Sequence, residues 1–211
     1  TGISAFLVDA TLDGIRVGDP PKMLGNEGSH ACYVWFENCE VPADSIVGGQ
    51  EGRGLKAALR GINHARLHVA ATCVGQAIRL ITEMTEYASK REQFGKRIGE
   101  FGQIAAMLAD SRAEMAAGRA LCLDCSKQFD AGDQIPFIDI ASAKLFCSEM
   151  VSRVADRAVQ VMGGLGYMED LSDVPRLFRD VRLFRIFEGA SQVQQGNIAC
   201  LLYTSPSPRD K

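Results

Sequence analysis

The stretch Arg185-Ile186-Phe187-Glu188-Gly189-Ala190-Ser191-Gln192 places one carboxylate between a bulky apolar pair and a glycine. An apolar neighbourhood partly dehydrates a carboxylate and so raises its proton affinity. Gly189 lets the backbone approach a ligand with no Cβ in the way. A carboxylate held like this suits a general base that removes a weakly acidic C–H proton. By residue type alone, the same octapeptide also reads as a polar helix start after an apolar turn.

Helices must position that carboxylate. After Gly54 the apolar residues Leu59, Ile62, Val69, Cys73, Ala77, Ile81 and Met84 recur at helical spacing. They predict a helix from about Leu55 to about Lys90. A second is expected over Phe101 to Ala131, with Ile104, Leu108, Met115, Cys122 and Cys125 inward and Gly132 as its stop. Pro136 suits the first turn of a third. That helix is lined by Ile138, Ala141, Leu145, Ser148, Val151, Ala155, Ala158 and Met162, and it ends at Gly163-Gly164. A short helix over Val174 to Phe184 and a last one over Ala190 to Leu202 complete the set. Long helices with short connections predict antiparallel neighbours, hence a helical bundle. Met115-Ala116-Ala117-Gly118 permits close helix approach. Residues 1–48 read instead as β, with Phe6-Leu7-Val8 and Cys32 to Phe36 as strand candidates. Gly48, Gly49, Gly52 and Gly54 lack the Gly-Lys-Ser/Thr ending of a phosphate loop and read as a linker. The tail from Tyr203 to Lys211 is polar, proline-containing and aperiodic, and looks non-native.

Composition narrows the classes. At 211 residues, 46% hydrophobic and 23% charged, the chain can bury one sizeable core. A net charge of −3 gives no basic nucleic-acid footprint, and no apolar run is long enough to span a bilayer. Seven scattered cysteines, an odd number, fit free thiols in a reduced compartment. Cys122 and Cys125 form a CxxC without a second pair, so no metal site is expected there. His64 and His68 share a helix face but lack the glutamate of a metalloprotease pattern; they read as structural or substrate-facing. The chain opens at Thr1 in what reads as mid-strand, without a signal peptide, and is expected to be a fragment.

Four motifs stand in order: Asn63-His64-Ala65-Arg66; Tyr87-Ala88-Ser89-Lys90-Arg91-Glu92-Gln93-Phe94-Gly95-Lys96; Gln160-Val161-Met162-Gly163-Gly164-Leu165-Gly166-Tyr167; and Arg179-Asp180 leading into Phe187-Glu188-Gly189. Arg91 offers a permanent charge and a planar donor fork that suits a pyrophosphate; alone it reads equally as a surface ion pair. Gln160, Gly163 and Gly164 offer amide donors and exposed backbone where a helix ends. Asn63 and Arg66 by type are also ordinary polar residues near a helix surface.

Their order and spacing resemble the acyl-CoA dehydrogenase family, over essentially residues 1 to 202. The resemblance implies a mostly α chain. Residues 49–202 would be the C-terminal four-helix-bundle-type domain for FAD binding and oligomerisation. Residues 1–48 would be a remnant of the middle β-barrel-like domain. It implies that Glu188 abstracts the α-proton of an acyl-CoA thioester while a β-hydride passes to flavin N5. The thioester carbonyl would be polarised by the Glu188 backbone N–H and a flavin ribityl hydroxyl. Arg91, Gln93 and Phe94 would touch an FAD bound mainly by a neighbouring subunit, and Gln160 through Gly164 its adenosine end. Ala190, Ser191 and Gln192 would present helix N-terminal amides to it. Asn63, Arg66 and Gly189 would lie along the substrate. Some members carry the base on the first helix, where this chain has Ala65, so Glu188 has no rival.

The chain departs from the family pattern in two places. Gly102 stands where a glutamine commonly contacts FAD, with Gln103 next to it but about 100° around the helix; Ala190 replaces a threonine. The resemblance further implies an electron-transferring flavoprotein as acceptor and a homo-oligomer, a tetramer or a dimer. It implies a bacterial cytoplasm or mitochondrial matrix location, and a fragment inactive by itself. An acyl-CoA oxidase-like flavoprotein and a non-catalytic helical assembly module of the same fold are the rival readings.

Overall fold

The pattern change at Gly54 marks the switch from extended chain to helix. The computed structural model describes residues 2–132 and 137–204. Pro136 and residues 205–211 lie outside the described residues. Chain contacts divide it into Thr1–His64 and Ala65–Lys211.

In the first unit, β1 (Ile15–Val17) pairs antiparallel with β2 (Val34–Phe36). Arg16 stacks on the Trp35 ring at 3.7 Å. β2 falls within the expected Cys32 to Phe36 run. Phe6-Leu7-Val8 is not a strand: Phe6 makes a single antiparallel bridge to Ile46, and Leu7 is exposed. Its partner segment supplies two backbone bonds, Leu7 N to the Ser45 carbonyl at 2.9 Å and Val47 N to the Ala5 carbonyl at 2.8 Å, which close one bridge and no longer ladder.

Helix α1 (Gly54–Lys90) spans the division. Beyond it, β3 (Glu92–Gln93) and β4 (Lys96–Arg97) form a small hairpin. α2 (Gly102–Asp130), α3 (Phe137–Met162), α4 (Gly164–Tyr167), α5 (Val174–Val181) and α6 (Ser191–Thr204) follow, with a 3₁₀ segment over Arg182–Arg185. The short helix expected to reach Phe184 therefore tightens after Val181. The last one continues through Tyr203 and Thr204 into the segment expected to be aperiodic, and the Thr204 hydroxyl donates to the Cys200 carbonyl at 2.9 Å.

α3 is buried on most of its circumference and packs against α2, α4, α5 and α6. Val69, Cys73, Ala77, Leu80 and Met84 of α1 join Cys147, Met150, Val151, Val154 and Ala158 of α3 in one apolar cluster. Each fully buried leucine or valine there contributes about 1.5–3 kcal/mol relative to exposure. α2 approaches α3 closely enough for the Cys147 thiol to reach the Gly118 carbonyl at 3.6 Å. Glu114 of α2 then pins α3 by ion pairs to Arg153 and Arg157, each at 2.9 Å. Among the described residues, no helix is long and apolar enough to cross a membrane.

Candidate active site

Two places carry the chemistry read from the sequence. The first is the turn between the 3₁₀ segment and α6. Glu188 has φ 52° and Gly189 φ 89°. The left-handed region costs a non-glycine residue on the order of 1–3 kcal/mol and persists only where surrounding contacts fix it. Those contacts come from three helices. The Glu188 carbonyl accepts from Arg66 Nε at 3.2 Å and from Gln194 Nε2 at 3.1 Å. The Gly189 carbonyl accepts from Lys144 Nζ at 2.7 Å and from Gln194 Nε2 at 3.3 Å. A Cβ on residue 189 would run into the Gln194 amide nitrogen, so this position requires glycine.

Lys144 and Gln194 are fully buried and Arg66 nearly so. Burial holds the Lys144 ammonium below the ordinary lysine value. The Arg66 charge opposes it as well, and Glu149 and Glu188 favour it. Burial likewise lowers the Arg66 guanidinium, and the Glu188 carboxylate counters that. Burial pushes the Cys73 thiol up to about 12, so it is neutral at pH 7. The Arg66 guanidinium also stacks over the Phe137 ring at 5.0 Å. Because a trans peptide sets its N–H opposite its C=O, drawing both carbonyls inward turns the Gly189 and Ala190 amides the other way. Neither donates to a backbone carbonyl among the described residues.

Glu188 itself is half-buried. Ala190 precedes α6, and its carbonyl accepts from Gln194 N at 3.0 Å. The Ser191 hydroxyl is spent inside, donating to Glu149 Oε1 at 2.6 Å beside Arg185 Nε at 2.9 Å. Only its amide remains for a ligand. Burial opposes the Glu149 charge, but Ser191 and Arg185 outweigh it and hold the carboxyl below the usual value. Gln192 is exposed.

The second place is a groove of about 360 Å³ lined by Tyr87, Arg91, Gln93, Phe94, Phe101, Gly163 and Gly164, among others. Phe94 has φ 52° and is 93% exposed, so its ring is offered to whatever enters. Gly163, at φ 58° and ψ −131°, occupies backbone space closed to side chains, and nothing stands where its Cβ would be. Five expected cofactor residues meet here. Gln103 and Gln160 are exposed and do not line the groove. Asn63 is half-buried on α1 within the first unit. His64 and His68 are exposed.

Sequence reading passed over Lys144, Gln194 and Glu149. A signal for Lys144 was present: it stands three residues after Ala141 and four before Ser148, on the buried stripe. A charge there is a mark of function or of a buried partner.

The family model described as "Acyl-CoA dehydrogenase, C-terminal domain" matches residues 52–202. The chain is 36% identical over 191 residues to the mitochondrial very long-chain specific acyl-CoA dehydrogenase of Mus musculus, covering 90% of this chain and 29% of that protein. It is 34% identical over 201 residues to the caffeyl-CoA reductase-Etf complex subunit CarC of Acetobacterium woodii, covering 95% and 52%. The structure of butyryl-CoA dehydrogenase from Megasphaera elsdenii matches with a TM-score of 0.90 at 33% identity, covering 96% of this chain and 52% of that one. The chain thus spans at most about half the length of these relatives.

Proposed function

This chain belongs to the acyl-CoA dehydrogenase family, and from that premise we propose that it carries the catalytic base and part of the cofactor groove of an FAD-dependent acyl-CoA dehydrogenase. The observation that carries the reading is the braced turn: a lone carboxylate on a strained backbone, with its carbonyls drawn into the interior.

Glu188 takes the α-proton of the thioester onto a carboxylate oxygen. The proton is weakly acidic, so polarisation of the thioester carbonyl is required, and the Glu188 backbone N–H is one donor for it. Arg66 assists by holding the Glu188 carbonyl; this adds to the expectation that it lies along the substrate with Asn63 and Gly189. Bound FAD supplies the acceptor for the β-hydride.

The groove residues fit FAD by their chemistry. Arg91 offers a guanidinium fork for phosphate, Gly163 and Gly164 offer open backbone, and Phe94, Phe101 and Tyr87 offer flat apolar surface. Gln93 lines the same groove. Gln160 and the amides of Ala190, Ser191 and Gln192 are assigned to the cofactor by motif alone, and Gln103 only as the neighbour of Gly102, where the family commonly has a glutamine. Residues 49–202 form the helical FAD and oligomerisation domain, and residues 1–48 belong to a β domain. The match to a subunit of a caffeyl-CoA reductase-Etf complex supports an electron-transferring flavoprotein as acceptor. A homo-oligomer, tetramer or dimer, completes the proposal.

The test uses the intact flavin-loaded protein. Glu188→Gln keeps flavin content and lowers acyl-CoA-dependent flavin bleaching by about 10²–10⁴-fold. Bleaching undiminished by the substitution would sink the assignment.

A further inference from the structure

Resting on that assignment of Glu188, we propose that Lys144 is a positioning residue for the base, acting through the Gly189 carbonyl. Three observations meet. Lys144 is fully buried in the middle of the bundle, where a charged ammonium persists only with strong partners. Its Nζ lies 2.7 Å from the Gly189 oxygen, a short charge-assisted bond. The residue it holds is a glycine at φ 89°, directly after a glutamate at φ 52°.

Glycine leaves the peptide after it free to rotate. Arg66 and Gln194 hold the Glu188 carbonyl and so fix the peptide between residues 188 and 189. Without a second anchor, the 189–190 peptide could turn and carry Glu188 out of its left-handed conformation. Lys144 and Gln194 provide that anchor on the Gly189 oxygen. With both carbonyls pinned, the Cα–Cβ direction of Glu188 is set. Gln194 alone is a weaker anchor, because one amide nitrogen is shared between two carbonyls while its Oε1 is buried without a partner. Lys144 also places positive charge near the Glu188 carboxylate. Its position therefore serves orientation and charge together.

The experiment compares Lys144→Met, Lys144→Arg and Glu188→Gln in the intact flavin-loaded protein. Lys144→Met is expected to lower the per-flavin kcat for acyl-CoA-dependent bleaching about 100-fold, the cost of a displacement of about 1 Å. KM should stay within about twofold. Amide hydrogen exchange over residues 186–190 should quicken while that of the α3 core does not. Lys144→Arg keeps the cation but places its donors differently, and should lose about 10-fold.

A wild-type per-flavin kcat with unchanged exchange over 186–190 overturns the proposal. So does a loss of activity that tracks loss of folded protein, with the surviving flavoprotein at the wild-type rate. If Lys144→Met does not fold, the same two measurements on Lys144→Arg decide. Glu188→Gln separates the two claims. If it bleaches undiminished, the base assignment falls whatever Lys144 does. If it is inactive while the Lys144 variants are unimpaired, only the role of Lys144 falls.

Discussion

The turn at 187–190 and the groove at the end of α1 are built in opposite ways. At the turn, the Glu188 carboxylate stands on backbone tied from behind by buried side chains: Arg66, Lys144 and Gln194. In the groove, Arg91, Gln93 and Phe94 sit at or just before a hairpin of two-residue strands and are exposed, Phe94 almost wholly, while Gly163 and Gly164 come from the end of α3. The turn is ordered by its own chain. The groove leaves its ring and guanidinium to be ordered by what they bind. The difference matches the two tasks proposed for them, since a base must meet its proton at a fixed point, whereas a cofactor clamp works by cumulative contact.

The sharpest way to break this contrast is Gly189→Ala. The new Cβ collides with Gln194 and the residue keeps a forbidding φ, so per-flavin bleaching should fall by about 10²-fold or more. Flavin affinity should change little, and stopped-flow bleaching beside a flavin titration reads both. Arg91→Ala should do the reverse. Loss of a charge-assisted contact worth about 1.5–3 kcal/mol raises the flavin dissociation constant about 10- to 150-fold, while kcat per bound flavin stays within about twofold. A fall in kcat per flavin would erase the division between the two regions.

The smallest effect is a pH dependence of the scaffold behind the turn. Glu149 is held below the ordinary glutamate value: burial opposes its charge, and Ser191 and Arg185 prevail. Glu114 is lowered in the same way, burial opposing and Arg157 and Arg153 prevailing. A depressed folded value gives stability that is present above the unfolded value, about 4.3, and lost as pH falls through the folded one. Both pairs are partly exposed, so each is worth ~1 kcal/mol or less. Glu149→Gln should therefore be less stable than wild type at pH 7, and the gap should close as pH falls below about 4. Thermal unfolding at the two pH values measures it.

The long helices were readable because burial imposes a period. Cys73, Ala77 and Met84 are all fully buried as their spacing predicts. Leu59 was placed on the same stripe yet is exposed, since a continuous stripe does not reveal where a helix leaves its core. The hairpin at Arg91–Arg97 was invisible as structure: two-residue strands carry no period, although the residues themselves were recognised. Glu188 was singled out by its apolar neighbours, the glycine after it and the ordered motifs that resemble the family. Its braces were not, because Arg66 and Lys144 reach it from far along the chain and their targets are backbone oxygens, which have no sequence signature. Ser191 shows the same limit. Its place at a helix start predicted its amide's use, but not that its hydroxyl turns inward to Glu149.

The spacing of those braces along the chain carries a consequence for how the protein acquires its site in time. Gln194 is 6 residues from Glu188, Lys144 is 45 from Gly189, and Arg66 is 122 from Glu188. Closing a loop costs more entropy the longer it is, so the local Gln194 contact can form early and the Arg66 contact must wait for the first and last helices to meet. The turn that carries Glu188 has all its braces only when the segment bearing Arg66 has docked on it. Completion of the turn is therefore a late event, and a molecule with its helices formed but α1 undocked lacks the Arg66 brace on Glu188.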